Sequence, residues 1–506
     1  MSPEPEAPNR AYQALEARFR RLALLGDASG MLAWDRAAIM PRGGAEVRAE
    51  QLTELGLIRH ELITDPALGN LLDEAESDSA KLDDWQRANL AAMRRKWRHA
   101  NAVPVDLHEA SMRAGLACEM AWRDARPAND FAALKPLLEE VTRLTREIAE
   151  TKATAFDCAP YDALLDQFEP DLRMAVIEPV FDDLAGFLPD FIEDVLAHQS
   201  AEPPVLPLNG PFPVEHQSRL ADTFMRTVGF PFDHGRLDVS HHPFSGGTPD
   251  DLRITTRYDE ADFTSSLMAV LHETGHALYE HNLPMSWRHQ PVGEALGMAV
   301  HESQSLLIEM QVCRSRPFID YAAPVMRAGF DHDGSDAAWR SDNLHRIYTR
   351  VARGLIRVDA DEVTYPAHVI LRYRLERALI AGDMAIGDLP SAWAEAMKDL
   401  VGVVPPDDRD GCMQDIHWMD GAFGYFPTYT LGAIMAAQLY DAAKRTDSDI
   451  EPAIERGDFK PLYAWLTTNI HGLGSSLTAS ELLTRATGRS LDVDAFKSHL
   501  KTRYLS

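Results

Sequence analysis

Apolar residues recur at steps of three and four through most of the chain, a spacing typical of amphipathic helices. Before residue 200 it predicts six helices, over 12–25, 45–63, 84–99, 106–123, 131–154 and 171–198. After residue 260 it predicts seven, over 263–283, 292–314, 336–353, 366–381, 392–401, 429–444 and 479–500. Asp83 and Asp130 are residue types that commonly begin helices, which supports two of the starts. The pattern therefore predicts a mostly α-helical protein.

One stretch follows a different pattern. Within 236–258, the segments 237–240 and 251–258 alternate apolar and polar residues and carry β-branched side chains, with Gly246 and Gly247 between them. Such alternation around a glycine-containing turn predicts a small antiparallel hairpin. The hairpin would come directly before the helix 263–283, and an extended peptide could pair with its free edge.

Prolines mark a change between two parts of the chain. Several fall within 200–213, and we interpret this stretch as an ordered linker that crosses the surface. It would separate a helical N-terminal lobe, 1–200, from a second lobe, 214–506, that carries the candidate chemistry. Helices resume directly after the linker, so we expect a single unit over 1–506.

The candidate chemistry lies in the helix 263–283, which contains His272-Glu273-Thr274-Gly275-His276. An α-helix places residues i and i+4 on one face, so the two histidines point the same way. Two imidazoles at that spacing can hold one Zn²⁺, and Glu273 stands beside them, where a general base acting on water belongs. The neighbouring residues are apolar, and buried ionisable groups are costly unless they are paired or bind a metal.

A hydrolytic zinc site takes three protein ligands and keeps one position open. Three downstream residues compete for the third place, namely Glu294, His301 and Glu302. Spacing alone does not choose among them, because each lies on or next to the following predicted helix.

Composition narrows the class of protein. The 506 residues carry a formal net charge of -28, which argues against nucleic acid as a partner because its phosphates would be repelled. The four cysteines show no paired spacing, which favours a reducing compartment over a disulfide framework. Residues 1–10 lack the pattern of a signal peptide, and no apolar run is long enough to cross a membrane. We expect a cytoplasmic protein without membrane contact.

Several segments resemble motifs of the thermostable carboxypeptidase Taq family of zinc metallocarboxypeptidases. The stretch 301–305 reads H-E-S-Q-S and resembles the family's H-E-S-[MQ]-S motif. Segments similar to H-P-F, D-x-R-x-T, I-R-x-x-A-D and G-x-x-Q-D-x-H-W occur in the family's order at 242–244, 251–255, 356–361 and 411–418. The chain departs from the family pattern at Leu306, where an arginine is expected, and at Arg36, where a glutamine is expected.

The resemblance implies a multi-helix metallopeptidase fold with a deep substrate groove and a small β-hairpin or sheet beside the metal helix, similar to angiotensin-converting enzyme and neurolysin. It implies one Zn²⁺ per chain, for which Co²⁺ could substitute, and a homodimer. It makes Glu302 the third ligand beside His272 and His276. Glu273 would activate water, and the reaction would be hydrolysis of the C-terminal peptide bond of peptides with broad specificity.

Other residues of these motifs are candidates for the remaining roles in peptide hydrolysis. The tetrahedral oxyanion needs a donor besides the metal, and His417 and Tyr425 are the candidates. Tyr429 lies close to Tyr425 in sequence and could take its place. His242 would orient a ligand or line the cleft.

A carboxypeptidase must also bind the free carboxylate of its substrate, which arginine does through two parallel hydrogen bonds. Arg357 and Arg253 are the leading candidates, followed by Arg257. A structural ion pair is the alternative for each, for instance between Arg357 and Asp359 or Asp361. Two other functions stay open: a helical zinc oligopeptidase that cuts within short peptides, and a non-catalytic peptide-binding scaffold with a structural zinc.

Overall fold

The N-terminal part of the chain is built from helices. The computed structural model describes residues 9–332 and 334–506, so residues 1–8 of the stretch that argued against a signal peptide lie outside the described residues. Nine α-helices precede the sheet: α1 (Arg10–Ala38), α2 (Ala45–Thr64), α3 (Pro66–Ser77), α4 (Asp84–Asn101), α5 (Val105–Ala128), α6 (Phe131–Phe156), α7 (Pro160–Phe168), α8 (Met174–Ala201) and α9 (Val214–Val228). The six helices predicted before residue 200 are present, whereas α3 and α7 were not predicted.

Polar side chains explain where several of these helices begin. Asp83 and Gln86 form a reciprocal capping box at the start of α4, and Asp130 accepts a hydrogen bond from the backbone N–H of Ala133 in α6. Such caps satisfy backbone donors that lack a partner in the first helical turn. Both predicted helix starts are therefore confirmed. Helix α1 runs well past its predicted end, and Trp34 near its last turn is buried.

Three strands form one small sheet in the order β1-β3-β2: β1 (Gly235–Val239), β2 (Phe244–Thr248) and β3 (Asp251–Thr256). The predicted hairpin between 237–240 and 251–258 is wrong, because β1 and β3 pair in parallel. The antiparallel partner of β3 is β2, which contains both glycines assigned to the turn. Gly247 has a φ of 89°, and a Cβ there would lie 2.0 Å from the carbonyl oxygen of Asp251. This glycine permits the tight connection from β2 to β3.

Eleven α-helices follow the sheet in the described part of the chain: α10 (Phe263–His281), α11 (Met298–Leu306), α12 (Arg316–Gly329), α13 (Ser341–Tyr348), α14 (Tyr365–Ala381), α15 (Leu389–Leu400), α16 (Pro427–Thr446), α17 (Ile450–Glu455), α18 (Lys460–Asn469), α19 (Ala479–Thr487) and α20 (Val493–Leu505). The helix predicted over 292–314 begins only at Met298 and continues from α11 as a π-helix, Leu307–Cys313. The helix predicted over 479–500 is two helices, because Gly488 ends α19 in a left-handed conformation.

Helix α10 packs between two apolar clusters. On one side, Val270 and Ala277 of α10 join a small apolar cluster with Leu252 and Ile254 of β3. On the other side, residues of α10, α11, α14 and α16 share one large apolar core. A separate smaller core joins α1, α3 and α4. Over the described residues, no helix combines the length and apolar character needed to cross a membrane.

Candidate metal centre

Helix α10 carries the first two candidate ligands. Asp262 begins the helix by accepting a hydrogen bond from the backbone N–H of Thr264. His272 and His276 lie one turn apart, with ring centroids separated by 4.9 Å. The residues of this turn that face away from the rings are apolar or small and buried. The helix therefore presents both imidazoles from one face, as the spacing predicts.

Glu302 reaches the same place from α11. Its Oε2 lies 3.3 Å from Nε2 of His276 and 3.8 Å from Nε2 of His272. Two glycines permit this approach. A Cβ on Gly275 would lie 2.7 Å from the carbonyl oxygen of Gln304, and a Cβ on Gly432 would lie 2.9 Å from Cβ of Glu302. Helices α10, α11 and α16 can pack closely enough to bring the carboxylate to the histidines because neither position carries a side chain.

The three donor groups fit a zinc ion. Their ligand atoms all lie within 4.8 Å of one another. In a tetrahedral site with bonds of about 2.0–2.1 Å, neighbouring donors stand roughly 3.3 Å apart. The separation between Glu302 and His276 matches this distance, and the separation between Glu302 and His272 is longer, at 3.8 Å. Burial lowers the pKa of His276 to about 4, so this ring is a neutral donor at pH 7. Burial opposes a charge on His272, but Glu302 and Glu309 outweigh it and raise the pKa of His272 to about 10. The carboxylates around His272 therefore favour a positive charge between the three donor groups.

The other two candidates for the third ligand lie outside the donor cluster of His272, His276 and Glu302. Glu294 is exposed and pairs with Lys96 at 2.5 Å. Nε2 of His301 lies 3.0 Å from Oε1 of Glu280, and its ring stacks on that of His276 at 4.5 Å. Of the three residues between which spacing could not choose, the structure brings Glu302 to the cluster.

Glu273 lies beside the donor cluster and is buried, with 8% of its surface exposed. Burial raises its pKa to about 7, with Glu302 adding to the effect and His272 opposing it. A carboxyl group with a pKa near neutrality can both take and return a proton, which is what general acid–base catalysis requires.

Sequence reasoning missed a third carboxylate at the site, after Glu302 and Glu273. Oε2 of Glu309 in the π-helix lies 3.0 Å from Nδ1 of His272, and Arg314 donates to the other oxygen of Glu309. Burial raises the pKa of Glu309, but Arg314 and His272 lower it overall. The signal was present in the chain, because Glu309 follows Glu302 by seven residues, or two helical turns.

His417 and its neighbouring tyrosines form an aromatic group near the metal cluster. Nε2 of His417 lies 3.2 Å from the hydroxyl of Tyr429, and its ring packs against Phe426 at 4.5 Å. The rings of Tyr425 and Tyr429 are 5.2 Å apart. Burial, followed by the charge of Arg357, lowers the pKa of His417 to about 4, so its ring is neutral at pH 7. The structure brings His417, Tyr425 and Tyr429 together.

The two leading arginine candidates, Arg357 and Arg253, have carboxylate partners. Nε and Nη2 of Arg357 donate to Oδ1 of Asp415 at 3.1 and 2.8 Å, rather than to Asp359 or Asp361. The Arg357 guanidinium lies 4.7 Å from the ring centroid of Tyr429, which places it beside the aromatic group. Arg253 pairs with the adjacent Asp251.

The remaining two residues named from sequence are exposed. His242 lies in the loop between β1 and β2, and Arg257 directly follows β3. Among the described residues, neither belongs to the donor cluster, so their assignment to substrate binding stays a prediction.

Two buried carboxylates, Glu169 directly after α7 and Glu376 in α14, accept hydrogen bonds from segments next to the site. Glu169 accepts a hydrogen bond from the backbone N–H of Ala299 in the first turn of α11 at 2.7 Å. Glu376 accepts hydrogen bonds from the indole of Trp418 at 2.7 Å and from the backbone N–H of Gly424 at 3.0 Å. Both are far in sequence from the residues they hold, so no local pattern could have revealed them.

Comparison with known proteins agrees with this geometry. A family model described as carboxypeptidase Taq (M32) metallopeptidase matches residues 14–504. Thermostable carboxypeptidase 1 of Thermus thermophilus is 38% identical over 98% of this chain and 99% of that protein. Carboxypeptidase 1 of Bacillus subtilis is 30% identical over 96% of each chain.

Solved structures extend the likeness to the whole fold. Metallocarboxypeptidase 1 of Trypanosoma cruzi has a TM-score of 0.96 and 40% sequence identity, covering 99% of this chain and 100% of that one. The M32 carboxypeptidase of Deinococcus radiodurans has a TM-score of 0.92 and 35% identity, covering 98% and 99%. The resemblance seen in the sequence motifs is confirmed, and the chain is a peptide hydrolase that belongs to the carboxypeptidase Taq (M32) family of metallopeptidases.

Proposed function

We propose that this protein is a zinc metallocarboxypeptidase that releases C-terminal residues from peptides with broad specificity. The observation that carries the proposal is the convergence of His272, His276 and Glu302 on one point, with Glu273 next to them. Three protein ligands leave one position of a tetrahedral zinc ion open, which is the arrangement of catalytic sites and not of structural ones. This argues against the peptide-binding scaffold.

The chemistry needs a Lewis acid and a base. A bound zinc ion supplies the Lewis acid, since it polarises a carbonyl and makes water more acidic. Glu273 takes a proton from the attacking water as the new C–O bond forms. It then passes that proton to the leaving amine as the C–N bond breaks, so that one water is consumed for each bond cleaved.

The developing oxyanion receives hydrogen bonds from the aromatic group. The hydroxyls of Tyr425 and Tyr429 stay protonated, because burial raises the pKa of both well above 7. His417 is neutral and lies within hydrogen-bonding distance of Tyr429. Neutral donors aimed at a developing charge stabilise the transition state without adding charge to the resting site. We propose Tyr425 and His417 as these donors, with Tyr429 as the substitute for Tyr425.

Arg357 is the better candidate for the C-terminal carboxylate of the substrate. It is buried beside Tyr429, and its two hydrogen bonds to Asp415 use Nε and Nη2, so Nη1 is available to a substrate. Arg253 and His242 are secondary candidates. We propose a deep groove similar to that of angiotensin-converting enzyme and neurolysin. If this groove is closed at one end, the end of the substrate chain would enter it and stop at Arg357.

A matched pair of substrates tests exopeptidase action. The same peptide is offered with a free C-terminal carboxylate and as its C-terminal amide, and released amino acids and fragments are identified by mass spectrometry. We expect kcat/KM for the amide to fall by about 10²-fold, because the amide lacks the charge-assisted hydrogen bond to Arg357, which contributes up to about 3 kcal/mol. Equal cleavage of both peptides at internal bonds would establish the alternative, an oligopeptidase that cuts within short peptides.

Changing Glu273 to Gln tests the base. The substitution removes the proton acceptor while keeping the size of the side chain, so kcat should fall by about 10²–10⁴-fold with zinc content unchanged. Glu294→Gln is a matched control at an exposed carboxylate that pairs with Lys96, and it should leave kcat and zinc content as in the parent. Parent-like turnover in Glu273→Gln would remove the base from the mechanism.

We further propose a homodimer in the cytoplasm, built from one peptidase unit over 1–506 with a helical lobe over 1–200 and a catalytic lobe over 214–506. The four cysteines are unpaired, which supports a reducing compartment. The partners are peptides with a free C-terminus, not nucleic acid. Co²⁺ can replace Zn²⁺, because both accept nitrogen and oxygen donors in this geometry.

A further inference from the structure

The ring of His272 lies between two carboxylates, those of Glu302 and Glu309, which belong to one continuous segment of the chain. Nε2 faces Oε2 of Glu302 at 3.8 Å, and Nδ1 lies 3.0 Å from Oε2 of Glu309. The two acids are seven residues apart, and the chain between them passes from α11 into the π-helix. One face of this continuous helix therefore contacts both nitrogens of one candidate ligand.

Glu309 is itself fixed in place. Its Oε1 accepts a hydrogen bond from Nη2 of Arg314, and the two side chains are 11% and 15% exposed. A carboxylate bound on both sides cannot rotate away from the ring without leaving Arg314 unpaired in the interior, which is costly. The pair thus fixes the direction from which Glu309 meets Nδ1.

The C-terminal helix, α20, forms hydrogen bonds with the π-helix that carries Glu309. Arg503 of α20 donates to the carbonyl oxygens of Met310 and Gln311 in the π-helix. Glu362, which is buried, accepts hydrogen bonds from Arg503 at 3.0 Å and from the amide of Gln311 at 2.9 Å. π-Helical segments are rare, and these hydrogen bonds support this one. The support lies directly beside Glu309.

We propose that Glu309 is the positioning residue for His272, and this rests on the zinc site proposed above. By accepting the hydrogen bond of Nδ1–H, it fixes the ring orientation and the tautomer in which Nε2 offers its lone pair to the cation. A negative partner also makes Nε2 a stronger donor. The corresponding nitrogen of His276 is buried without a partner among the described residues, so the two ligands differ in this support.

The test measures zinc affinity, not only turnover. Glu309→Gln should weaken zinc binding about 10- to 100-fold, as loss of such partners does elsewhere, measured by competition with a chelator. The visible absorption bands of the cobalt-loaded protein should shift, because the field of one ligand changes. Glu280→Gln is the matched control, since Glu280 bonds His301, which is outside the donor cluster, and it should keep both parent values.

A double variant separates positioning from folding. Glu309→Leu with Arg314→Met removes both buried charges together, so the chain should fold, and a buried pair replaced in this way is often neutral for stability. Zinc affinity should still be reduced about 10-fold or more. Parent-like zinc affinity and cobalt spectra in both variants would overturn the role of Glu309 and leave the carboxypeptidase proposal standing. A parent protein that binds no zinc would overturn both.

Discussion

Gly275 shows how one missing side chain shapes the site. It is the fourth residue of the H-E-x-x-H stretch, where the motif allows any residue. In the fold, however, the backbone of α11 crosses directly over it, and a Cβ would lie 2.7 Å from both the Gln304 carbonyl oxygen and Cα of Ser305. Real contacts of this kind are not that short, so a side chain here must displace α11 and with it Glu302.

We predict that Gly275→Ala weakens zinc binding by at least about 10-fold, because a shift of Glu302 by a few tenths of an ångström disturbs a ligand that must sit at about 2.0–2.2 Å from the metal. Chelator competition measures the effect. Gly56→Ala in α2 is the matched control, since a Cβ there meets nothing within 4 Å. It should leave zinc affinity unchanged and stabilise the helix by about 1 kcal/mol. Unchanged affinity in Gly275→Ala would contradict the close-packing argument.

At the scale of elements, Glu376 of α14 holds the loop that leads into α16. Tyr161 of α7 also donates to it, so three elements meet at one buried carboxylate. Burial raises its pKa from 4.5 to about 7, and its hydrogen-bond donors only partly oppose this. The folded protein therefore keeps a proton on Glu376 between about pH 4.5 and pH 7 that the unfolded chain has released.

This proton makes stability depend on pH. Glu376 should contribute up to about 3 kcal/mol to the free energy of unfolding. This contribution is fully present below about pH 4.5, and it is lost as the pH rises through about 7. Denaturant unfolding of the parent and of Glu376→Gln from pH 5 to pH 8 measures the difference. The parent should lose stability relative to the variant, which has no group titrating there. Parallel curves would show that Glu376 is charged throughout.

At the scale of the molecule, the two proposed lobes meet at the site. Glu169 lies between α7 and α8 and accepts a hydrogen bond from the backbone N–H of Ala299 in the first turn of α11. A Cβ on Gly297, the residue before α11, would lie 2.3 Å from Oε2 of Glu169. Phe168 packs edge-on against Tyr425 at 5.1 Å. Residues at the end of α7 therefore contact both α11 and the aromatic group, which is consistent with the proposal of one peptidase unit.

Zinc should stabilise the whole chain, because its three ligands come together only on folding. With free zinc at 100 times Kd, the apoprotein should gain about 2.7 kcal/mol, seen as a rise in Tm on titration. Glu302→Gln lacks one ligand and should show a much smaller rise at the same zinc concentration. An equal rise in both proteins would place the stabilising zinc at another site.

The sequence predicted the structural features that depend on residues close together along the chain. Helix α10 and the shared face of His272 and His276 follow from a local repeat and a spacing of four. The starts of α4 and α6 follow from Asp83 and Asp130. Sequence reasoning could not choose among Glu294, His301 and Glu302 from spacing, and it placed the strands 237–240 and 251–258 in the wrong relative direction. Those choices depend on chain segments that are distant in sequence.

The sequence by itself determined the helical class, the turn that presents His272 and His276 on one face, and the family. Only the tertiary structure decided that Glu302 lies opposite the two histidines, that Glu309 meets the far side of the His272 ring, and that Arg357 pairs with Asp415. The physical reason is that helical periodicity is set within a few residues. The approach of two helices is set by packing, here by the absence of a side chain at Gly275 where α11 crosses α10.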